Sequence, residues 1–411
     1  MTKNNVMNNF KLIVFCMALG VTAGVVVWAF LKAMSEGMDF IWHWIPNNFD
    51  IPFYTLMVCT VGGLIIGLFR KKFGDYPESL DTVLGKVKTD KHYSYDNIIV
   101  LLLAALLPLL IGSSVGPEAG LAGVITALCY WVGDNAKFAK ENSRVYSEVG
   151  MAVSLSVIFY SPLFGIFAVE EDENNEVPNV AKSSKILLYG VAIASAMGIY
   201  KLLSYFFGSG MGGFPAFESM EPTRIDYVML VVYVIAGLIL AVFYNFTHHA
   251  TEELGHKLPA VGKETLAGLC LGLAGTFVPM VMFSGEHEMG ELMVDYAHFL
   301  PYMLVIIAFL KVLITNICIQ FGLKGGHFFP LIFAGVALGY AIAMFVFPGC
   351  DMGHMVFGAA IVTATLLGAT MKKPIAVTML LLLCFPLNSL VWTFVAATLG
   401  AKLISFNRLL K

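Results

Sequence analysis

Stretches of twenty residues or more run through this chain without a single Lys, Arg, Asp or Glu, among them 12–31, 97–117, 149–169, 227–247, 265–285, 325–350 and 374–401. A helix needs ~20 such residues to cross the hydrocarbon of a bilayer. Of the 411 residues, 58% are hydrophobic and only 13% charged, against roughly 25% charged in a soluble domain. The pattern predicts an all-α polytopic membrane protein. A membrane barrel would show ~10-residue segments of alternating polarity instead. The first apolar segment starts at Phe10 behind a short head holding Lys3. It is too long for a signal-peptide core and has no small-residue cleavage pattern, so it reads as a retained span.

Apolar segments are expected at 10–33, 53–70, 97–113, 117–133, 145–169 and 184–207, then at 226–246, 264–283, 299–321, 328–347, 354–370 and 374–405. This gives one membrane domain over 1–411 in two halves, about 10–207 and 226–406, and no soluble domain. Basic residues cluster at Arg70–Lys72, Lys86–Lys91, Lys137–Arg144 and Lys402–Lys411. The positive-inside rule places those loops, and both termini, in the cytoplasm of a cell whose plasma (inner) membrane holds the chain. Loops 36–52, 208–225 and 284–298 hold one basic residue, Arg224, and are expected outside.

The seven cysteines are scattered through apolar runs with no CxxC pair, which reads as packing rather than a metal or redox centre. SGEHEMGEL at 284–292 approaches the HExxH zinc signature, but Glu291 stands where the second His belongs. It reads as a charged outer loop. No enzyme, cofactor, metal or nucleic-acid partner is expected, although an intramembrane enzyme using Glu286, His287 and Glu288 is the rival from another class.

Two places resemble each other. IGSSVGPEAGLAGV at 111–124 precedes SPLFGIF at 161–167, and GLKGGHFFPLIFAGVALG at 322–339 precedes KKPIAVTML at 372–380. Each pairs a Gly-rich break leading to a Pro with a second Pro-initiated helix. Pro117 to Pro162 and Pro330 to Pro374 are spaced alike. Gly/Pro-interrupted segments at matching places in two halves point to a transporter's central site. Irregular backbone is tolerated at membrane depth only where it is buried or lines a cavity. A helix starting there offers unpaired N–H groups and a positive dipole end, which suits an anion.

On these residues the chain resembles the CLC family of chloride channels and proton-coupled antiporters. SSVGP at 113–117 stands where that family has GREGP, and GGHFFP at 325–330 is similar to its GGxFxP. SPLFGIFAVEED at 161–172 and KKPIAVTMLLLL at 372–383 are similar to its paired inner helices, and FGDYP at 73–77 to its GSGIP. The resemblance implies two inverted halves, a homodimer and one anion pathway per subunit. It assigns the anion to Ser114, Val115 and Gly116, to Gly326, His327 and Phe328, and to Gly74 and Tyr76. Val115 occupies the place of the gating glutamate and Ser114 that of the arginine. Gly74 replaces the coordinating serine, and the inner tyrosine ligand has no counterpart.

Glu118 then has two readings, a displaced gate or a first-turn acid stabilised by the dipole. The family's internal proton-transfer glutamate aligns with Asp172, next to Glu171, and the alternative is that both belong to a solvated helix end. Lys324 either concentrates anions or snorkels to the interface. The functional expectation is an anion path, chloride first, with passive conduction ahead of proton exchange. Proton-coupled antiport and fluoride export on the same fold are the alternatives.

Overall fold

In a computed structural model, residues 3–74, 76, 82, 97–135, 143–171, 182–209, 214–347 and 352–407 are described. Among them the architecture is helical. The chain resolves into two compact units, the first built from 1–39, 76–106 and 117–212, the second from 40–75, 107–116 and 213–411.

The first unit holds α1 (Lys3–Asp39). In the second, α2 (Tyr54–Phe73) is followed in sequence by α3 (Ile98–Leu110), whose residues divide between the two units. The first unit continues with α4 (Glu118–Asn135), α5 (Ser143–Ile158), α6 (Pro162–Glu170) and α7 (Lys182–Phe207). Here α1 packs along α7 and α5 against both α4 and α6. The α1–α7 contact depends on small residues. A Cβ on Gly20 would sit 2.2 Å from the Ala192 carbonyl oxygen, and one on Gly24 2.5 Å from that of Ala196. Two glycines and two alanines, each pair four apart, let the helices touch backbone to backbone.

The second unit adds α8 (Arg224–Lys257), α9 (Gly262–Phe277), α10 (Glu286–Asp295), α11 (Pro301–Gln320) and α12 (Phe328–Val346). It ends with α13 (Met352–Met371), α14 (Pro374–Leu381) and α15 (Leu390–Asn407). Among the described residues, helices α1, α7, α8, α11, α12, α13 and α15 are long and apolar enough to cross a membrane. Protein covers 78% of the apolar window of α12 and 89% of that of α13, against 28% for α15. Helices that are apolar all round and covered all round form the core of a unit. The two pack on each other, with α11 also against α12, and α8 and α15 against α13.

Two expectations change. The segment 374–405 is not one span: α14 ends at Leu381 and α15 starts at Leu390. Pro386 has no N–H to continue a helix; the released Cys384 carbonyl accepts from Phe217 N–H at 2.7 Å, and the Asn388 side chain donates to the Met220 carbonyl at 2.8 Å. The loop expected at 284–298 contains helix α10. Gly285, at φ +104°, turns the chain, and Glu286 and Glu288 in the first turn suit the helix dipole.

Candidate functional site

Two breaks in the second unit are built alike. After α3, Gly112 takes φ +74°, its N–H bonds to the Leu109 carbonyl at 3.1 Å, and Ser113 N–H closes on Pro108 at 3.1 Å. After α11, Gly322 takes φ +101°, its N–H bonds to Ile319 at 3.3 Å, and Leu323 N–H closes on Cys318 at 2.8 Å. A glycine in the left-handed region with these closures ends a helix and turns the chain out of it. The breaks then meet. Gly116 N–H donates to the Gly326 carbonyl at 2.8 Å, and Gly326 N–H returns to Gly116 at 2.7 Å, an isolated antiparallel bridge. Two residues on in sequence, Glu118 and Phe328 begin α4 and α12.

The bridge corrects the register of the repeat. Spacing matches Pro117 with Pro330, whereas the hydrogen bonds match Gly112 with Gly322 and Gly116 with Gly326, and hence Pro117 with His327. Pro330 is the third residue of α12, where an N–H would lack an intrahelical partner anyway. Proline therefore marks each helix start loosely, within a turn. A second matched pair of breaks carries non-glycine residues at positive φ, Tyr160 (+48°) before α6 and Lys372 (+56°) before α14.

Side chains satisfy the open end of α3. Trp42 Nε1 donates to the Leu110 carbonyl at 2.9 Å, Cys59 Sγ to Ile111 at 3.4 Å, and Phe283 N–H to Gly112 at 2.9 Å. Beyond Gly112, the break is held by one face of α11. Thr315 Oγ1 donates to the Lys311 carbonyl at 2.8 Å and lies 3.0 Å from Ser114 Oγ. With the threonine proton so engaged, Ser114 is the donor between them. The Ser114 N–H is directed at the Cys318 sulfur. Lys311 itself is wholly buried and its ammonium donates to the carbonyls of Met282 (2.6 Å), Phe283 (3.0 Å) and Met280 (3.4 Å).

The structure brings Ser114, Val115 and Gly116 together with Gly326, and His327 and Phe328 come directly after it. Val115 is fully buried, and its N–H bonds to Ser113 at 2.7 Å. The His327 ring lies 5.7 Å from that of Tyr244 and 4.5 Å from that of Phe328. Glu118 is 1% exposed in the first turn of α4. Gly74 caps α2 at φ +104° with its N–H on Arg70, and Tyr76 is half-buried. Among the described residues no hydrogen bond ties Gly74 or Tyr76 to the bridge. Glu171 caps α6, and Asp172 lies outside the described residues.

Glu170, the last residue of α6, takes part in a buried ionic cluster. Lys185 pairs with it and with the buried Glu148, the latter at 2.7 Å, and Tyr189 Oη donates to Glu170 at 2.8 Å. Sequence reasoning missed Lys311, Glu170 and a further buried pair, Arg70 with Glu264 at 2.5 Å. For Lys311 a signal existed, a charge inside the apolar segment 299–321. Arg70 reads in sequence as one of a basic loop cluster, and nothing local names its partner 194 residues away.

A sequence model of the family described as voltage gated chloride channel matches residues 62–405. A protein of Escherichia coli O17:K52:H18 (strain UMN026 / ExPEC), provisionally named ion-transport protein YfeO, is 22% identical over 334 residues, covering 78% of this chain and 76% of its own. Among solved structures, a slow cyanobacterial Cl−/H+ antiporter superposes with TM-score 0.79 at 17% identity, over 96% of this chain and 94% of that one. A CLC-type fluoride/proton antiporter superposes with TM-score 0.75 at 19% identity, over 98% and 97%. At such identities the structural likeness carries the fold.

Proposed function

The chain belongs to the voltage gated chloride channel family, and we propose that it passes a small inorganic anion, chloride first, through the junction of its two backbone breaks. One observation carries the reading: the reciprocal Gly116–Gly326 bridge joins two breaks, and a helix starts two residues beyond each. The positive end of α12 at His327 and Phe328 is the anion's electrostatic partner. Neutral donors suit turnover, since an ion held by them is released readily. In this reading Gly116 and Gly326 spend their N–H groups on each other. They fix the junction, and the ion is held by the helix start beside it, with Ser114 setting the break from α11.

The uncharged, buried Val115 at the gating position favours passive flow. The buried Glu118 favours the second reading, proton-coupled antiport, which is also the activity named for the two solved relatives. Fluoride remains the second anion to assay, because one of those relatives is a fluoride/proton antiporter. The basic clusters after α2 and at 137–144 support a cytoplasmic side there, with both termini inside the plasma membrane. Two copies pair in this reading, on the pattern of the family.

The test is anion flux from liposomes holding the purified full-length chain, with simultaneous recording of pH, on wild type and Glu118→Gln. Net charge movement without a pH change, retained in Glu118→Gln, supports passive conduction. Proton flux in fixed ratio to the anion, lost in Glu118→Gln, replaces it with antiport. No flux of chloride or fluoride overturns the reading.

A further inference from the structure

Lys311 stands in a helix long and apolar enough to cross a membrane, with no part of its side chain exposed. An ammonium has three donors, and three carbonyls receive them at 2.6, 3.0 and 3.4 Å. The number of carbonyls matches the number of donors an ammonium carries. The carbonyls stabilise the charge without cancelling it. The Phe333 ring, 5.2 Å from Nζ, adds a further weak attraction without a countercharge.

The countercharge is held back. Glu288, on α10, feels Lys311 electrostatically, yet the two form no direct ion pair. Its carboxyl is more than nine-tenths buried, and Oε2 has no hydrogen-bond partner. A buried carboxylate oxygen is ordinarily satisfied. Here it is left open opposite an ammonium whose donors are already spent.

The charge stands beside the junction. Lys311, Thr315 and Cys318 succeed each other at helical spacing on one face of α11. Thr315 receives the Ser114 hydroxyl and Cys318 faces the Ser114 N–H. One turn of helix, a rise of about 6 Å over four residues, separates Lys311 from the residue that holds the break. The carbonyls it gathers belong to the same segment whose Phe283 N–H pins Gly112.

We propose that Lys311 is the buried positive charge that sets the junction's affinity for anions, and that Glu288 sets how much of that charge the ion feels. The inference rests on the anion-passing reading of the junction. Lys311 acts through its field and by holding the break, so it is a positioning residue, and its ligand class is the small inorganic anion. Full compensation would weaken binding, and none would slow release. A distant carboxylate lies between those limits.

The experiment measures chloride binding to purified full-length protein by calorimetry, with flux from liposomes in parallel. Glu288→Gln removes a negative charge at constant shape and is expected to tighten chloride binding about tenfold, the effect of one unit charge at such a range. Lys311→Met is expected to weaken it by about as much, and Lys311→Arg to restore it. A purely structural role moves both neutral variants the same way, or moves neither. Either result overturns the inference while wild-type transport leaves the functional reading standing. Should Lys311→Met fail to fold, the direction of Glu288→Gln decides alone, and unchanged or weakened binding rejects the proposal. A wild type that neither binds nor moves anions defeats the functional reading and this inference with it.

Discussion

Gly116 and Gly326, 210 residues apart in sequence, exchange both of their backbone hydrogen bonds, at 2.8 and 2.7 Å. Only a close approach of the two breaks allows this, and Gly325 makes it possible. A Cβ there would lie 2.4 Å from Val115 Cγ2 and 2.9 Å from the Gly116 oxygen. Gly325→Ala is therefore expected to part the breaks and destabilise the protein by about 1–3 kcal/mol, the usual cost of overpacking. Adding Val115→Ala removes the side-chain half of the clash but leaves the carbonyl. A double-mutant cycle by thermal unfolding is expected to recover part of the loss, and a purely additive result would contradict the packing described.

Gly322 carries a different constraint. Its φ of +101° disfavours any side chain, and a Cβ would sit 1.8 Å from an Arg70 guanidinium nitrogen and 2.7 Å from Glu264 Oε1. The Arg70–Glu264 pair thus lies against the turn that ends α11. Both groups are buried, and Glu264 Oε2 also accepts the Val261 N–H at 2.9 Å. Glu264→Gln keeps the shape but removes the negative charge facing the guanidinium, with an expected loss of roughly 3 kcal/mol. Replacing both, as Arg70→Met with Glu264→Gln, is expected to be milder than Glu264→Gln alone, as read by unfolding in detergent.

These residues mark what the sequence could and could not reveal. Charge-free runs and Gly-rich breaks are local signals, so the membrane class and the positions of both breaks were legible. The register was not, because proline is tolerated anywhere in a first helical turn, and Pro330 lies two residues into α12. Buried charges were the least legible. Arg70 and Glu264, or Lys311 and the carbonyls of 280–283, meet only through the fold: Arg70 alone resembles a loop residue, and Lys311 alone shows a charge in an apolar segment but not what it binds. The acidic run suggested Glu171 and Asp172, and its first member, Glu170, is the one that pairs with Lys185 and accepts from Tyr189.

The pH dependence of anion binding is set by Glu288. Burial pushes its carboxyl above the ordinary carboxylate range. Lys311 from α11, its own backbone and His287 pull it back, and Glu291 pushes it up again. Glu286 shares the first turn of α10 and faces Cys384. As pH falls through the raised pKa, Glu288 becomes neutral and Lys311 loses its compensation, so anion affinity is expected to rise. At higher pH the carboxylate is charged and affinity is at its lower level. Binding measured from about pH 7 down to about pH 5 is expected to show this rise in wild type and to lose it in Glu288→Gln. A fall in affinity on acidification would carry the wrong sign.

The cluster in the first unit makes the last prediction. Lys185 lies between Glu148 and Glu170, and Tyr189 donates to Glu170. Two carboxylates share one ammonium there. Lys185→Met removes the ammonium that the two acids share, and removing one partner of a buried ionic group costs about 3–5 kcal/mol. Tyr189→Phe deletes one hydrogen bond to a charged group, at about 1.5–3 kcal/mol, and leaves the ion pairs intact. Unfolding is expected to rank the variants in that order. Glu170→Gln combined with Lys185→Met is expected to be less damaging than Lys185→Met alone, since residue 170 then carries no charge to be compensated. If the double variant is instead the less stable of the two, Glu170 is held by groups other than Lys185 and Tyr189, and the account of this cluster fails.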